Sequence, residues 1–560
     1  MNKIVISIFT ISLILLSSLL GHPVSSNSIQ TTSTGNTIYV GGNGPGNYSS
    51  INCAIAAAID GDIIFVYNGS YHGLFQVDKS ISLIGEDKHN TILLGLNNVE
   101  KTLFLNADHI NISNFTIKNT YSFSDSNIVI NSNFSVISNN IINSKGYADA
   151  INLFNSKNNL IFNNEITGSV GISLANSSQN QIYNNIFSKN FQGISLRLES
   201  NNNIIFSNNF SNTTAYEIDI FTSSQNTIKN NYFFSNGIII NLYLKKSVYQ
   251  KEISNNKIKG KPLLYIQNES NRVIDGTINY GQIIIVNCDN ITVKNQNISS
   301  AGFGIQMVQC FNCHIIDNEI SNTSRYGLIL LNSIKNEICR NKIFKIDYCG
   351  IFLIDSSKNF VKNNDIFINS NGINLENSNE NKIFENNISK CRFHGISMEE
   401  SNKNIIDRNN IFDNEFRGIS IVRKNYNNSI SNNTISNNEA SGIDLEEKNE
   451  HNIIIKNIIS KNKIGILLCY SENNEITYND FLLNKKDAKT IHYDTTWMKA
   501  LKKCWTNKWE HNYWNKSRFL PKAIFGFNYY IPIWDGDPPA FFYIFITFDK
   551  RPAVKPNCDF

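Results

Sequence analysis

The apolar positions of this chain fall in short, isoleucine-rich runs. Asn, Ser and Gly interrupt each run before a helical face can form. Short β-branched runs bounded by turn residues predict strands. One phrase recurs: GISL at 171–174 and 193–196, GLIL at 327–330, GIFL at 350–353, GINL at 372–375, GISM at 395–398, GISI at 418–421, GIDL at 442–445 and GILL at 465–468. From Gly304 the phrase glycines step by 23, 23, 22, 23, 23, 24 and 23 residues. A period in this range indicates a solenoid, and the LxxLxLxxN phrase of leucine-rich repeats is absent. About 23 residues at ~3.3 Å each make a loop of roughly 75 Å, enough for one three-sided turn of a parallel β-helix. The predicted fold is all-β: a single-stranded right-handed parallel β-helix with turns ~4.8 Å apart. Its isoleucines point inward, and its corners are made of Asn and Ser.

Asparagine tolerates left-handed backbone angles, and stacked amides bond to one another. Asn208, Asn231, Asn256, Asn341, Asn364, Asn387, Asn410 and Asn433 recur at nearly the same step and are predicted to form such a ladder. Taken in order, residues 1–27 read as a signal peptide, with MNK ahead of a mostly apolar run. Residues 28–80 form a lead-in and N-terminal cap, with a strand at Thr37–Val40 and a short helix over Ile51–Ile59 that Ser49 or Ser50 caps. The β-helix occupies 81–485, with a bulged turn at 245–285 where Pro262 stands in place of the phrase glycine. Residues 486–560 hold all five tryptophans and read as a C-terminal aromatic cap.

Composition adds little. The net charge of +4 and the low charged fraction give no reason to invoke nucleic acid. No later stretch than the N-terminal one reaches transmembrane length. With an export signal, the ten cysteines can form disulfides. Cys288 and Cys310 lie one period apart and are predicted to pair; Cys504 and Cys558 can tie the tail.

GDIIFVYNGSYHG after AIAAAIDG, together with the NNxI…GIxL repeats, resembles the NosD-like and pectin-lyase-like right-handed β-helix proteins, whose unit is also called the carbohydrate-binding and sugar-hydrolysis repeat. NYW at 512–514, LPKAIFG at 520–526 and FDKRPAVKP at 548–556 are similar to the C-terminal segment of archaeal NosD-like surface proteins, with Asn515, Lys550 and Arg551 departing from the pattern. The resemblance implies the fold. It leaves function open among surface binding proteins, polysaccharide lyases and hydrolases, and copper-associated accessory proteins. No catalytic residue carries over, because no lyase-like or hydrolase-like signature is present.

Three groups are candidate sites. Glu376 and Glu399 each follow a phrase glycine by four residues, so adjacent turns bring them within ~4.8 Å. Such a spacing suits a retaining glycosidase pair or Ca²⁺ ligation. It equally suits exposed strand-end residues balanced by Arg423 and Lys424. Just before the phrase glycine run Phe191, Phe303, Tyr326, Tyr348, Phe393 and Phe416, with Arg325, Arg392, Arg417 and His394 as neighbours. Of these, Tyr326, Tyr348, Phe393, Phe416, Arg325, Arg392 and Arg417 are the candidate substrate-binding set: either a sugar-binding groove or corner packing. Cys310, Cys313 and His314 match a CxxCH string, yet fall in register with ordinary repeat positions; a copper site is the functional alternative. The leading expectation is an exported, secreted or cell-surface protein without catalysis that presents a face to a polysaccharide, a glycoconjugate or a surface protein. The alternatives are a polysaccharide lyase or hydrolase and a copper-associated accessory protein.

Overall fold

A computed structural model describes residues 35–96, 101–119, 126–241, 249–299, 301–493, 506–515, 522–529 and 542–557. The expected signal segment, Trp497, Trp505, Trp534, Cys504 and Cys558 lie outside the described residues. The chain folds as the expected right-handed parallel β-helix. Within the coils, strands pair in parallel with their equivalents one turn on, as in Ile137↔Ile161, Ile142↔Ile166 and Ile151↔Ile172. These isoleucines are fully buried along the axis. At the N-terminal end a helix, Ile51–Ala57, lays Ile51, Ala54 and Ile55 over the first turn. It stops before the expected Ile59 because Ala58 is already extended. Lys79 Nζ takes up the terminal carbonyls of Ile55, Ala56 and Ala58 at 3.0, 2.8 and 2.6 Å.

The corners are held by amide ladders. Asn386 shows the unit. Its backbone N–H and its Nδ2 both donate to Asn409 Oδ1, at 3.0 and 2.9 Å, and Nδ2 also donates to Val361 O at 2.8 Å. The same pattern runs through Asn208, Asn231 and Asn256, and through Asn341, Asn364 and Asn433. Asn387 and Asn410 do not belong to it. They are exposed first residues of strands, and Asn410 Nδ2 donates outside the wall to Asn387 Oδ1 at 3.0 Å. The 22-residue step before Gly372 moves the ladder back by one residue, and the 24-residue step before Gly442 restores it. A second ladder through Asn336, Asn359, Asn381 and Asn404 holds another corner.

The stack does not run unbroken through 245–285. Lys257–Ile258 pairs antiparallel with Lys261–Gln267, across Lys259 and Gly260, both at positive φ. Two central residues at positive φ make a tight hairpin, so the expected bulged turn is a reversal. Gln282–Val286 then pairs in parallel with Lys261–Gln267 and begins a second solenoid. Alternate residues of its GIxL sheet serve two cores. Ile283, Ile285, Leu328 and Leu330 face its own interior, whereas Ile284, Val286, Ile329 and Leu331 pack into the core of the first solenoid. The flank of the second solenoid therefore covers the end of the first. Two glutamines complete the seal on the last GIxL strand, Ile238–Asn241. Gln282 accepts from Ile238 N at 3.1 Å and donates to Ile238 O at 2.7 Å; Gln306 does the same for Ile240 at 3.1 and 2.8 Å. At the far end the ladder closes on Asp549, whose Oδ2 accepts from Asn512 N, Asn512 Nδ2 and Trp514 Nε1. Trp514 stacks on Phe481 at 4.4 Å, and Trp509 is buried beside it.

Ladder and surface asparagines separate energetically. Asn409→Ala leaves the backbone N–H of Asn386 without an acceptor in a dry wall, at about 1–3 kcal/mol, while Nδ2 keeps Val361 O. Asn410→Ala removes only an exposed contact and stays within ~0.5 kcal/mol of wild type. Urea midpoints of the two variants check this; equal shifts contradict the ladder.

Candidate functional site

The GIxL sheet of the second solenoid has an outer face of two characters. Its early strands carry Phe303, Val308, Ile329, Leu331 and Phe352, which are buried against the first solenoid. From Asn371–Glu376 onward the outward positions turn mostly polar: Asn374 and Glu376, Ser397 and Glu399, Ser420 with the apolar Val422, then Asp444 and Glu446. The side-chain period of two places them there, because the Ile and Leu of each phrase point inward.

Glu376 and Glu399 are register partners on adjacent strands, one strand spacing of ~4.8 Å apart. Their environments differ. Arg423 Nη1 lies 2.8 Å from Glu399 Oε1. Burial, and then the neighbouring Glu399, raise the Glu376 carboxyl above its usual range. One acid is thus biased toward the protonated form beside another that has a cationic partner.

Arg417 organises the next strands. Its Nε lies 2.7 Å from Asp444 Oδ2, its Nη2 donates to Glu446 Oε1 at 2.7 Å, and its Nη1 donates to Ser420 Oγ at 3.2 Å. The guanidinium lies 4.7 Å from the Phe416 ring centroid. Asp444 is fully buried; burial pushes its carboxyl up to about 7 against the pull of Arg417, with Glu446 adding to the rise. His394, register partner of Arg417, is pushed down to about 4 by burial and by that cation. Its Nδ1 has no hydrogen-bond partner. Spacing alone did not disclose the Arg417–Asp444–Glu446 pairing; the Asp at the third position of GIDL, where Ser or Asn usually stands, was the available signal.

The row of aromatics divides. Phe303 is buried and Tyr326 packs beside it at 5.5 Å, with Tyr216 of the first solenoid on the other side at 5.6 Å. Arg325 sits over Tyr216 at 5.5 Å. Phe303, Tyr326 and Arg325 thus belong with Tyr216 to the junction between solenoids. Tyr348, Phe393 and Phe416 are exposed, the last two at 44% and 41%, and Arg392 lies 5.4 Å from the Phe393 ring.

The cysteines follow the repeat. Cys310 and Cys313 point into the wall, whereas His314 points outward and meets Glu337 Oε2 at 3.0 Å. Adjacent strand positions alternate faces, so the trio is parted. Among the described residues no three His, Cys, Asp or Glu side chains gather as a metal-binding group. The expected Cys288–Cys310 disulfide is not formed: both are free thiols. Each occupies a corner position that Ser fills elsewhere and turns its Sγ to a local carbonyl, Cys288 to Val286 O at 3.2 Å and Cys310 to Val308 O at 3.4 Å.

The family model described as "Periplasmic copper-binding protein (NosD)" matches residues 55–250, 244–417 and 389–518. No curated protein matches the sequence. Several solved structures are similar at low overlap. The catalytic domain of a GH87 α-1,3-glucanase in complex with nigerose is 14% identical over 60% of this chain and 66% of its own, with a TM-score of 0.35. The periplasmic alginate epimerase AlgG is 13% identical over 70% and 78%, at 0.26. An alginate lyase from Paenibacillus sp. str. FPU-7 is 12% identical over 58% and 94%, at 0.23. Overlaps this low say nothing of chemistry in this chain. The three overlapping matches to the family model, spanning most of the sequence, show that the chain belongs to the NosD family.

Proposed function

We propose that this chain is an exported protein whose second solenoid holds glycan chains, without cleaving them, on the polar outer face of its GIxL sheet. One observation carries the reading: Phe393 and Phe416 stand exposed along the margin of a strip of hydroxyl, amide and carboxylate groups. A pyranose ring offers an apolar C–H face and a rim of hydroxyls, and such a margin supplies a partner for each. Arg417 is committed to Asp444 and Glu446, so its role is to hold Phe416 and the strip in place. An extracytoplasmic location accords with the family's periplasmic description and with the apolar N-terminus. Among the described residues no helix is long and apolar enough to cross a membrane. Display at a cell surface accords with the tail phrases NYW and FDKRPAVKP.

The asymmetry of Glu376 and Glu399 favours a second reading, hydrolysis of a bound glycan. A raised carboxyl beside a carboxylate with a cationic partner suits general acid and base work. Glu376 and Glu399 are both part-exposed, and Glu399 is already paired with Arg423, which places binding first.

A glycan array on the secreted chain, followed by calorimetry, tests the first reading. Losing the two rings at about 1 kcal/mol each weakens binding of a captured oligosaccharide by about tenfold or more in F393A/F416A. Wild type that binds no glycan, or a variant that binds equally well, refutes it. For the second reading, release of reducing or unsaturated ends by wild type that E376Q abolishes replaces binding with catalysis.

A pH effect checks the charge structure under the strip. With its folded pKa near 7, Asp444 contributes stability that is complete below about pH 4, the unfolded value, and is lost as pH rises through about 7. Asp444→Asn removes one proton's linkage, up to about 1.4 kcal/mol per pH unit of slope between pH 4 and 7. Urea midpoints across that window should fall less steeply in the variant. Equal slopes mean that Arg417 keeps the acid ionised throughout.

A further inference from the structure

The first solenoid carries a cavity of about 670 Å³ on one corner, away from the strip described above. Unequal corner lengths create it. Successive turns cross this corner with residues 144–148, then 168–169, then 189–191. The two-residue corner at Gly168 and Ser169 lies between longer ones, and residues of all three corners line the notch. Tyr147 lines it from the turn before and Phe191 from the turn after, 80% and 52% exposed. The register Ile142↔Ile166 and Ile166↔Phe187 shows that these are consecutive turns. Tyr147 and Phe191 therefore belong to turns roughly 9.6 Å apart, two strand spacings. A ring lying midway is about 4.8 Å from each level, close to the spacing of stacked rings.

The notch is lined with hydrogen-bonding groups. Ser144, Thr167, Ser169 and Thr214 contribute hydroxyls, and the lining holds no carboxylate. Asn190, 1% exposed, lines the notch with its Nδ2 donating to Gly168 O at 3.1 Å, while its Oδ1 has no partner. Other corner asparagines of this kind have that oxygen satisfied, as Asn369 Oδ1 is by Ile346 N at 2.9 Å. The short corner withholds the usual donor, so an acceptor is left over beside the slot.

We propose that this notch is a second, separate glycan site that clasps one pyranose residue between Tyr147 and Phe191. The rings take the two faces of the sugar, the hydroxyls of the floor meet its rim, and Asn190 Oδ1 accepts from a sugar hydroxyl. Volume and lining agree with a small-ligand site: mostly apolar walls with a few polar groups that fix orientation. The site takes neutral sugars or hexuronates, because Lys189 is the one charged side chain of the lining.

The full secreted chain is titrated calorimetrically with hexose, N-acetylhexosamine and hexuronate oligosaccharides of three to six units. The expected result is binding of at least one probe that Y147A/F191A weakens tenfold or more, and that Ser169→Trp, which fills the notch, also weakens. F393A/F416A retains the component of binding that Y147A/F191A loses and loses only the component carried by the strip, so the two sites separate by complementary losses. Both ring residues are exposed, so their alanine variants keep the wild-type urea midpoint, measured in parallel. Probes that bind equally to wild type and Y147A/F191A overturn the proposal, as does wild type that binds none of them.

Discussion

One carboxamide oxygen accepting two N–H donors from the turn below is the contact on which this molecule depends. A parallel solenoid gains its isoleucine core cheaply, because every turn repeats the last. Its corners are harder: there the backbone leaves the sheet ladder and buries polar groups without a strand partner. Asparagine resolves this by acting as both parts of a peptide group. In Asn386 or Asn409 the oxygen serves the turn before, and the amide N–H groups serve the turn after and a carbonyl further back. Where only an acceptor is required, at the end of the ladder, the residue is Asp549.

The same accounting governs the ends of each stack. An open solenoid shows unpaired N–H and C=O groups and an apolar cross-section. Helix Ile51–Ala57 covers one end and Trp509, Trp514 and Asp549 cover another. Between them the hairpin at Gly260 turns the chain so that the wall of the second solenoid becomes the lid of the first. Gln282 and Gln306 imitate a further strand for Ile238 and Ile240. This arrangement decides where function can reside. The outward face of the GIxL sheet is spent on packing as far as Phe352, and only from Asn371 onward is it available to ligands.

How much of this was legible beforehand follows from the range of each interaction. The period, the inward isoleucines and the parallel stacking are nearest-turn properties and stand in the sequence as a 22–24-residue repeat. The Glu376–Glu399 register is equally local. Asn387 and Asn410 were misplaced by one residue, because a fixed step cannot show which turn absorbs a deletion. Cys288 and Cys310 were placed on the right corner but not in the right bond, since each thiol turns to the carbonyl two residues before it. The docking of one solenoid on another depends on contacts 44 and 66 residues apart, Ile238 with Gln282 and Ile240 with Gln306. No periodicity encodes such contacts. Tyr326 and Phe303 accordingly looked like members of a surface row with Phe393 and Phe416, and only the junction distinguishes them.

The division between wall and corner also explains where variation is tolerated. A strand residue has a partner above and below, so a change there is felt by three turns. A corner residue beyond the ladder has only solvent outside it, and corners can lengthen or shorten by several residues while the isoleucine register holds, as between 144–148 and 168–169. Differences in corner length convert directly into relief on an otherwise smooth rod. Exposed rings such as Tyr147, Phe191, Phe393 and Phe416 all stand at corners. In this fold the core is what the repeat preserves, and recognition falls to the residues where the repeat is irregular.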